Sequence, residues 1–209
     1  MKKLILFLAT FSFLSFGVNL KRIAISQYNS ILYSDVIFHG KVTQSDSLGF
    51  KVKIIEAINN DTSNKNLLKN KEVFVDNLIP KKLGRYNSLS NPIINEELIF
   101  TLKYDVTTKK IYPLNRTFGL PIAQDKNASC YVTGQSNYEQ INYKTVIKGI
   151  KLLRTSYFKT KESITNGTIK SKLSQAELTK IKVKNAAAKI WIQDIETKNE
   201  YYKKLEKKQ

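Results

Sequence analysis

The sequence contains few side chains that could act as a nucleophile, a general base or a metal ligand. His39 is its one histidine and Cys130 its one cysteine, so a nucleophile–base pair would have to consist of these two residues. Neither residue lies in a recognisable catalytic motif. His39 falls in a predicted strand on the same face as Lys41, where a solvent-facing or hydrogen-bonded histidine is the better interpretation. One histidine and one cysteine also exclude a multi-histidine metal site and a cysteine-rich zinc module.

The acidic side chains form no catalytic pair either. Glu96 and Glu97 are adjacent, and neighbouring residues of a strand point to opposite faces, so these carboxylates cannot act as acid and base on one substrate. The sequence also contains no G-x-S-x-G, Walker, H-E-x-x-H or EF-hand motif. We therefore predict a protein that is not an enzyme and that has no catalytic residue, no metal site and no cofactor.

The N-terminal segment has the three parts of a secretory signal peptide. Lys2 and Lys3 supply positive charge, residues 4–14 form an apolar stretch, and Ser15 and Gly17 are small residues at the two positions that signal peptidase inspects. The stretch is short for a membrane span, which needs about 20 apolar residues; an uncleaved N-terminal anchor is the alternative. No later segment is apolar enough to cross a bilayer. We predict cleavage after Gly17 and a secreted or periplasmic protein.

From the N-terminal segment to about residue 135, apolar residues alternate with period two, which is typical of half-buried strands. Five strands are predicted, at residues 34–43, 48–58, 71–76, 97–104 and 110–114. Five short antiparallel strands suffice for a small closed barrel of the OB type. We expect its interior to be filled by Phe38, Val52, Ile54 and Phe100.

After Gly134 the apolar residues recur at three- and four-residue steps, which predicts helices. The first helix would span residues 138–159. The second would begin at a capping box formed by Ser174 and Glu177 and continue to about Lys204.

The predicted organisation is a signal peptide over residues 1–17, a barrel domain over residues 18–135 and a basic helical extension over residues 136–209. The fold class is α+β: a small five-stranded antiparallel OB-like β-barrel followed by two C-terminal α-helices. Of the net charge of +18, residues 141–209 carry +11, with 17 basic and 6 acidic side chains. A field of this size attracts polyanions such as nucleic acid, lipopolysaccharide or glycans.

The candidate polyanion-binding residues lie on the second predicted helix and are Lys180, Lys184, Lys189, Lys203 and Lys204. The alternative is a solvated basic helix face. Only four of the 35 basic residues are arginine, and lysine lacks the planar fork with which arginine binds phosphate. We therefore do not expect nucleic acid as the partner.

Several residues of the predicted strands follow the pattern of a known module. The first strand of that module is matched by Ser34, Asp35, Val36, Phe38, Gly40 and Val42, and its second strand by Phe50, Val52 and Ile55. A segment at its fourth strand is matched by residues 95–100, which include Glu97. In that segment Asn95 takes the place of a glycine. In these features the chain resembles the netrin/TIMP-like module, whose fold is an OB-type barrel. The resemblance covers about residues 25–133 and implies that Asp35, Phe38, Gly40 and Glu97 are structural motif residues.

Two of the motif residues also have a physical interpretation of their own. A glycine inside a strand, such as Gly40, suggests tight barrel curvature or the close crossing of another backbone. Asp35 precedes the apolar residues of its strand, where a carboxylate can accept loop amides. An exposed polar residue at the strand end is the alternative for Asp35.

The chain departs from the animal inhibitors of this family at its cysteines. Those inhibitors chelate a protease zinc through a mature N-terminal cysteine, and this chain has no cysteine before Cys130. The zinc-chelating mechanism is therefore not implied here. Cys130 also has no partner within the chain; it is either buried and inert, which we favour, or available for an intermolecular bridge.

Together these features favour a non-enzymatic exported interaction module that recognises an unknown protein or envelope polymer. Recognition would lie in the barrel loops at residues 59–70 and 77–96, because loops on a rigid scaffold tolerate variation. One alternative is polyanion binding through the lysine-rich helices. Another is inhibition of a protease by the loops, without the N-terminal cysteine.

Overall fold

The computed structural model describes residues 26–60, 71–77, 91–114, 118–133, 138–158 and 168–207. The strands are β1 (Val36–Ser45), β2 (Gly49–Asn60), β3 (Glu72–Asp76), β4 (Glu97–Asp105), β5 (Lys110–Pro113), β6 (Gly119–Ile122), β7 (Asn127–Tyr131) and β8 (Tyr138–Asn142). The helices are α1 (Gln27–Tyr33), α2 (Tyr143–Ser156), α3 (Gln175–Lys184) and α4 (Ala186–Glu206). The predicted signal peptide lies outside the described residues.

Five strands form a closed β-barrel. Their order is β1-β2-β3-β5-β4, and β4 pairs with β1 to close the ring. All neighbours are antiparallel except β3 and β5, which are parallel. The expectation of an entirely antiparallel barrel is wrong for a geometric reason. Strand direction must alternate around an antiparallel ring, and an odd number of strands cannot alternate all the way round.

The interior of the barrel is one apolar core. Phe38, Val52 and Phe100 are fully buried, and Ile54 packs against them partly buried, in agreement with the predicted filling. The rings of Phe38 and Phe100 stack at a centroid distance of 5.0 Å, and Phe50 lies 5.9 Å from Phe100. Burying each such side chain contributes about 1.5–3 kcal/mol relative to leaving it in water.

A second core lies between the barrel and the helices. Ile37 of β1 and Ile99 of β4 alternate with the inward-facing residues and pack with helix side chains, among them the fully buried Trp191 of α4. β1 and β4 are therefore buried on both faces. The helices cover this side of the barrel, whereas Lys51 and Phe74 on β2 and β3 remain exposed.

The first predicted helix begins later than expected. Residues 138–142 form β8, which pairs with β7, and α2 begins only at Tyr143. The side chain of Asn142 caps α2 by accepting the amide of Lys144 at 3.1 Å. The short helix α1 before the barrel was not predicted, because one seven-residue element carries too little periodicity.

The second predicted helix is two helices, so the expectation of two helices in all is wrong. The capping box of Ser174 and Glu177 begins α3, as predicted. The backbone of Asn185 is extended and ends α3, while its side chain accepts the amide of Ala188 at 2.9 Å and begins α4. An asparagine that caps a new helix competes with continuation of the old one.

Three strands outside the ring extend the sheet, and the sequence did not reveal them. One edge of β4 pairs with β6 along its first half and with β5 along its second half. β7 and β8 follow β6 in the sheet. Ala128, Cys130 and Ile141 from these strands enter the core beneath the helices.

Candidate functional site

His39 is buried between the barrel and the helices. It is 4% exposed, and its ring centroid lies 5.1 Å from that of Tyr143, the first residue of α2. Its Nε2 lies 3.5 Å from Oε2 of Glu97 on β4, and Nζ of Lys126 lies 3.1 Å from the same oxygen. The histidine is therefore not solvent-facing, and its distance to Glu97 exceeds that of a normal hydrogen bond.

The two titratable groups of this cluster each have a pKa below the usual value. Burial lowers the pKa of His39, because desolvation penalises the charged ring more than the attraction of Glu97 favours it. Burial would raise the pKa of Glu97, but the nearby groups of Lys126 and His39 outweigh it and the pKa lies below its usual value. The shifts favour a neutral ring beside an ionised carboxylate, and that carboxylate is also paired with Lys126.

Cys130 lies on β7 and is fully buried in the core beneath the helices. Burial raises the pKa of its thiol to about 12, so the thiol is protonated at neutral pH and is a poor nucleophile. Within the described ranges, no group of three or more His, Cys, Asp or Glu side chains could hold a metal ion. That the protein is not an enzyme remains a prediction.

Asp35 and Glu97, two of the motif residues, lie at opposite ends of the strand pair formed by β1 and β4. Oδ2 of Asp35 accepts the amide of Tyr104 at 3.2 Å and lies 3.4 Å from Nζ of Lys103. The carboxylate thus holds the beginning of β1 to the end of β4. The amide that it accepts belongs to a strand, whereas the sequence suggested an amide in a loop. Glu97 serves the ion pair with Lys126 at the opposite end of the same strand pair.

The other two motif residues shape the barrel interior. Phe38 is fully buried within it. A Cβ on Gly40 would lie 2.5 Å from Cγ1 of Val52 and 3.0 Å from the carbonyl oxygen of Lys53, so this inward position has no room for a side chain. The close backbone approach suggested for Gly40 therefore exists.

The structure does not gather the candidate polyanion-binding lysines into one site. Lys180 and Lys184 lie one turn apart on α3, and Lys189 lies in the first turn of α4. All five are exposed, but Lys203 and Lys204 are about 21 Å along α4 from Lys189. Between them lies Glu196, which accepts a hydrogen bond from Lys182 at 3.0 Å. The helical charge is a dispersed field rather than a concentrated patch.

The outer face of β2 and β3 is the side that the helices leave uncovered. Lys51 and Lys53 of β2 are exposed, and the neighbouring Ile55 and Phe74 are 52% and 45% exposed. Lys51 stands directly opposite Phe74 in the register of β2 and β3. We call these four residues the uncovered face; it combines ammonium groups with apolar surface.

A groove adjoins the uncovered face where β3 meets β5. The two strands pair at one register position, Val75 with Ile111, and leave a space of about 350 Å³ beside it. The space is lined by Glu72, Val73, Phe74, Asp76, Lys109, Lys110 and Ile111. Nζ of Lys110 lies 2.7 Å from Oδ2 of Asp76. We call this space the β3–β5 groove.

The predicted recognition loops lie largely outside the described residues. Of residues 59–70, the structure describes only the end of β2, and of residues 77–96 it describes residue 77 and the stretch from 91 onwards. Nδ2 of Asn91 donates to the carbonyl of Gly49 at 3.2 Å, and Ile93 is 77% exposed. Recognition by these loops stays a prediction.

Sequence reasoning missed the groove but contained part of its signal. Val73 and Val75 share the inward face of β3, which leaves Phe74 on the outer face with Glu72. An aromatic residue on the polar face of a strand could have marked an exposed binding surface. The groove itself depends on the parallel pairing of β3 with β5, which alternation cannot reveal.

Comparisons of the chain with family models, characterised proteins and solved structures find no significant match. The netrin/TIMP-like resemblance thus stays a prediction. Among the residues that the structure describes, no helix is both long enough and apolar enough to span a lipid bilayer.

Proposed function

We propose that this protein is a non-enzymatic, exported binding module that recognises its partner on the outer surface of β2 and β3. The observation that carries this proposal is the asymmetry of the barrel. Helices bury the outer side of β1 and β4, while Lys51, Lys53, Ile55 and Phe74 stay exposed on the opposite wall. Exposed apolar side chains gathered beside charged ones are typical of interaction sites.

An OB-type barrel of the netrin/TIMP-like kind is the finer architecture that we propose. The strand order β1-β2-β3-β5-β4, closed by the pairing of β1 with β4, supports it. The positions of Phe38 and Gly40 inside the barrel also agree with the family pattern. In barrels of the OB type, the face of the second and third strands commonly binds ligands.

The proposal that the protein is exported rests on its N-terminal residues. Lys2 and Lys3, followed by the apolar stretch and Gly17, have the composition of a cleaved signal peptide. Expression of the full chain in a bacterium, followed by N-terminal sequencing, should yield a mature protein that begins at Val18. A chain retained in the membrane with Met1 in place would instead support an uncleaved anchor.

Polyanion binding through the helices is the second candidate. The exposure of Lys180, Lys184, Lys189, Lys203 and Lys204 supports it, but their dispersal along two helices favours non-specific attraction. The third candidate function is inhibition of a protease by the loops. No contact among the described residues favours it.

The proposal is tested by capturing the partner from the envelope fraction of the source organism. The bait is the mature chain, compared with the double variant Ile55→Ser/Phe74→Ser, which removes apolar surface that is already half exposed and should preserve the fold. The matched control is Val183→Ser on α3, because Val183 is 84% exposed on the helical side. We expect one partner to be retained at high salt by the wild type and the control, and lost by the double variant.

Two results would count against this function. Equal capture by all three baits would place the partner elsewhere on the molecule. Capture that disappears at moderate salt for every bait would indicate polyanion attraction instead.

A further inference from the structure

The β3–β5 groove exposes strand edge. β3 and β5 pair at one register position, Val75 with Ile111. β3 begins three residues before Val75, whereas β5 begins one residue before Ile111. The first residues of β3 therefore extend past the beginning of β5. The groove occupies the space beside this extension.

Backbone groups of β3 are directed into the groove. The amide of Asn77 donates at 2.9 Å to the carbonyl of Leu48, the residue before β2, and the carbonyl of Lys71 accepts at 2.8 Å from the amide of Ile54 in β2. Pairing groups alternate along an antiparallel ladder, so the odd-numbered residues of β3 bond to β2. The N–H and C=O of Glu72 and the N–H of Phe74 consequently point away from β2, towards the groove.

The side chains around the groove are apolar at its base and mainly basic at its rim. Val73 and Ile111 are buried at the base, while Phe74 is 45% exposed at one side. The exposed lysines at or near the rim are Lys51, Lys53, Lys71, Lys109 and Lys110. Of the two acidic residues in the lining, Asp76 forms an ion pair with Lys110 at 2.7 Å, and Glu72 accepts a hydrogen bond from Thr43 Oγ1 at 3.0 Å and keeps its charge.

We propose that the β3–β5 groove binds an extended, acidic segment of a partner protein, which adds to β3 as a further strand. The inference deepens the proposed function by naming the class of partner. Backbone donors and acceptors in a row select a polypeptide strand, because only a peptide backbone presents complementary groups at the same spacing. Lys51, Lys53, Lys71 and Lys109, which have no acidic partner among the described residues, favour carboxylates beside that strand. Phe74 offers an apolar contact to an alternate side chain.

The test uses synthetic probes with the ¹⁵N-labelled mature chain. The first set comprises dodecapeptides that alternate glutamate with valine, isoleucine or phenylalanine. The second set is identical but carries N-methyl groups on every second residue, which preserves charge and removes the hydrogen bonds of one edge. Affinity is measured by titration, and amide exchange of β3 is followed by NMR.

We expect at least one alternating peptide to bind and its N-methylated form to bind about tenfold more weakly. Binding should slow the exchange of the amides of Glu72 and Phe74 and leave that of Val73 unchanged, since Val73 is already bonded to β2. Lys109→Glu should weaken binding by about threefold, whereas Lys189→Glu on α4, with the same change in charge, should not.

Three results would overturn strand addition. One is equal binding of methylated and unmethylated peptides, which indicates simple attraction of polyanions. Another is binding without protection of the Glu72 and Phe74 amides. The third is no binding by any peptide up to about 1 mM. A partner captured through Ile55 and Phe74 in the envelope experiment would survive the third result, so the two proposals fail separately.

Discussion

At the scale of single residues, His39 and Cys130 are both packed into the interior of the protein. The one cysteine is enclosed by apolar side chains, and the one histidine is enclosed between β1, β4 and α2. Each loses hydration on folding, and each consequently has a pKa displaced towards its neutral form. Both residues can therefore report on folding.

We predict that Cys130 is inert in the native protein. An aromatic disulfide reagent should modify it only as fast as the core opens, since its pKa is raised to about 12 and its side chain is fully buried. Denaturant should make the reaction immediate. The control is the variant Cys130→Ala/Ser47→Cys, whose new thiol lies at an exposed position and should react at once. Rapid labelling of the native wild type, or a disulfide-linked dimer, would contradict burial.

We predict that His39 makes the protein less stable in mild acid. The folded-state pKa of His39 is lowered below its usual 6.5, so the unfolded chain binds a proton more readily. The stabilising contribution is present above pH 6.5 and is lost as the pH falls through the folded pKa, by at most about 1.4 kcal/mol per pH unit.

Urea unfolding between pH 7.5 and about pH 5 measures this dependence. His39→Gln should flatten it, because the sequence has no other histidine. Glu97 is a separable contribution: its lowered pKa places its own loss of stability at more acidic pH, below the usual carboxyl value. An unchanged pH profile in His39→Gln would show that the histidine does not titrate on unfolding.

At the scale of elements, caps and close crossings decide where helices begin and how they pack. Asn185 both ends α3 and caps α4, and its Nδ2 donates to the carbonyl of Thr145 on α2 at 3.0 Å. Asn185 also lies beside Gly149, where α2 and α4 cross closely. One side chain thus sets the boundary between two helices and their position on a third.

Gly149 is predicted to tolerate no branched side chain. A Cβ there would lie 2.8 Å from Oδ1 of Asn185 and 3.0 Å from Cβ of Ala187. Gly149→Val should therefore lower the free energy of unfolding by about 1–3 kcal/mol. Lys148→Val, at the exposed neighbouring position, should cost only about 0.5 kcal/mol of helix propensity. Equal losses in the two variants would refute a tight crossing.

At the scale of the whole molecule, one wall of the barrel belongs to two cores. The inward side chains of β1 and β4 fill the barrel, and their outward side chains pack under the helices. The remaining wall, which carries the uncovered face and the β3–β5 groove, is the part of the barrel where binding would not require the helices to move.

We predict that polyanion attraction follows total charge rather than one helical site. The protein, with a net charge of +18, should be retained on heparin and released by moderate salt. Replacing Lys180, Lys184 and Lys189 by glutamine should shift elution to lower salt by the same amount as replacing Lys51, Lys53 and Lys71. Complete loss of retention in the helical variant alone would instead establish a specific helical site.

The elements of the fold that can be predicted are those that depend on the local alternation of apolar and polar residues. Val36, Phe38 and Val42 share a face in the sequence and in the barrel, and Ser174 with Glu177 marks the beginning of α3. Unpredicted elements depend on partners distant in the chain: β6 pairs with a half of β4 that its own four residues do not specify. The groove is of this kind, because it lies where two strands separated by β4 come together.

The amino-acid order alone determined the five barrel strands, the inward residues and the scarcity of reactive side chains, since these depend on residue type and on short-range periodicity. Only the tertiary structure decided that β3 and β5 run parallel, that His39 and Cys130 are buried, and that Phe74 borders a groove. Those properties arise from closing a ring of five strands and laying helices on one side of it, so they depend on which distant segments meet.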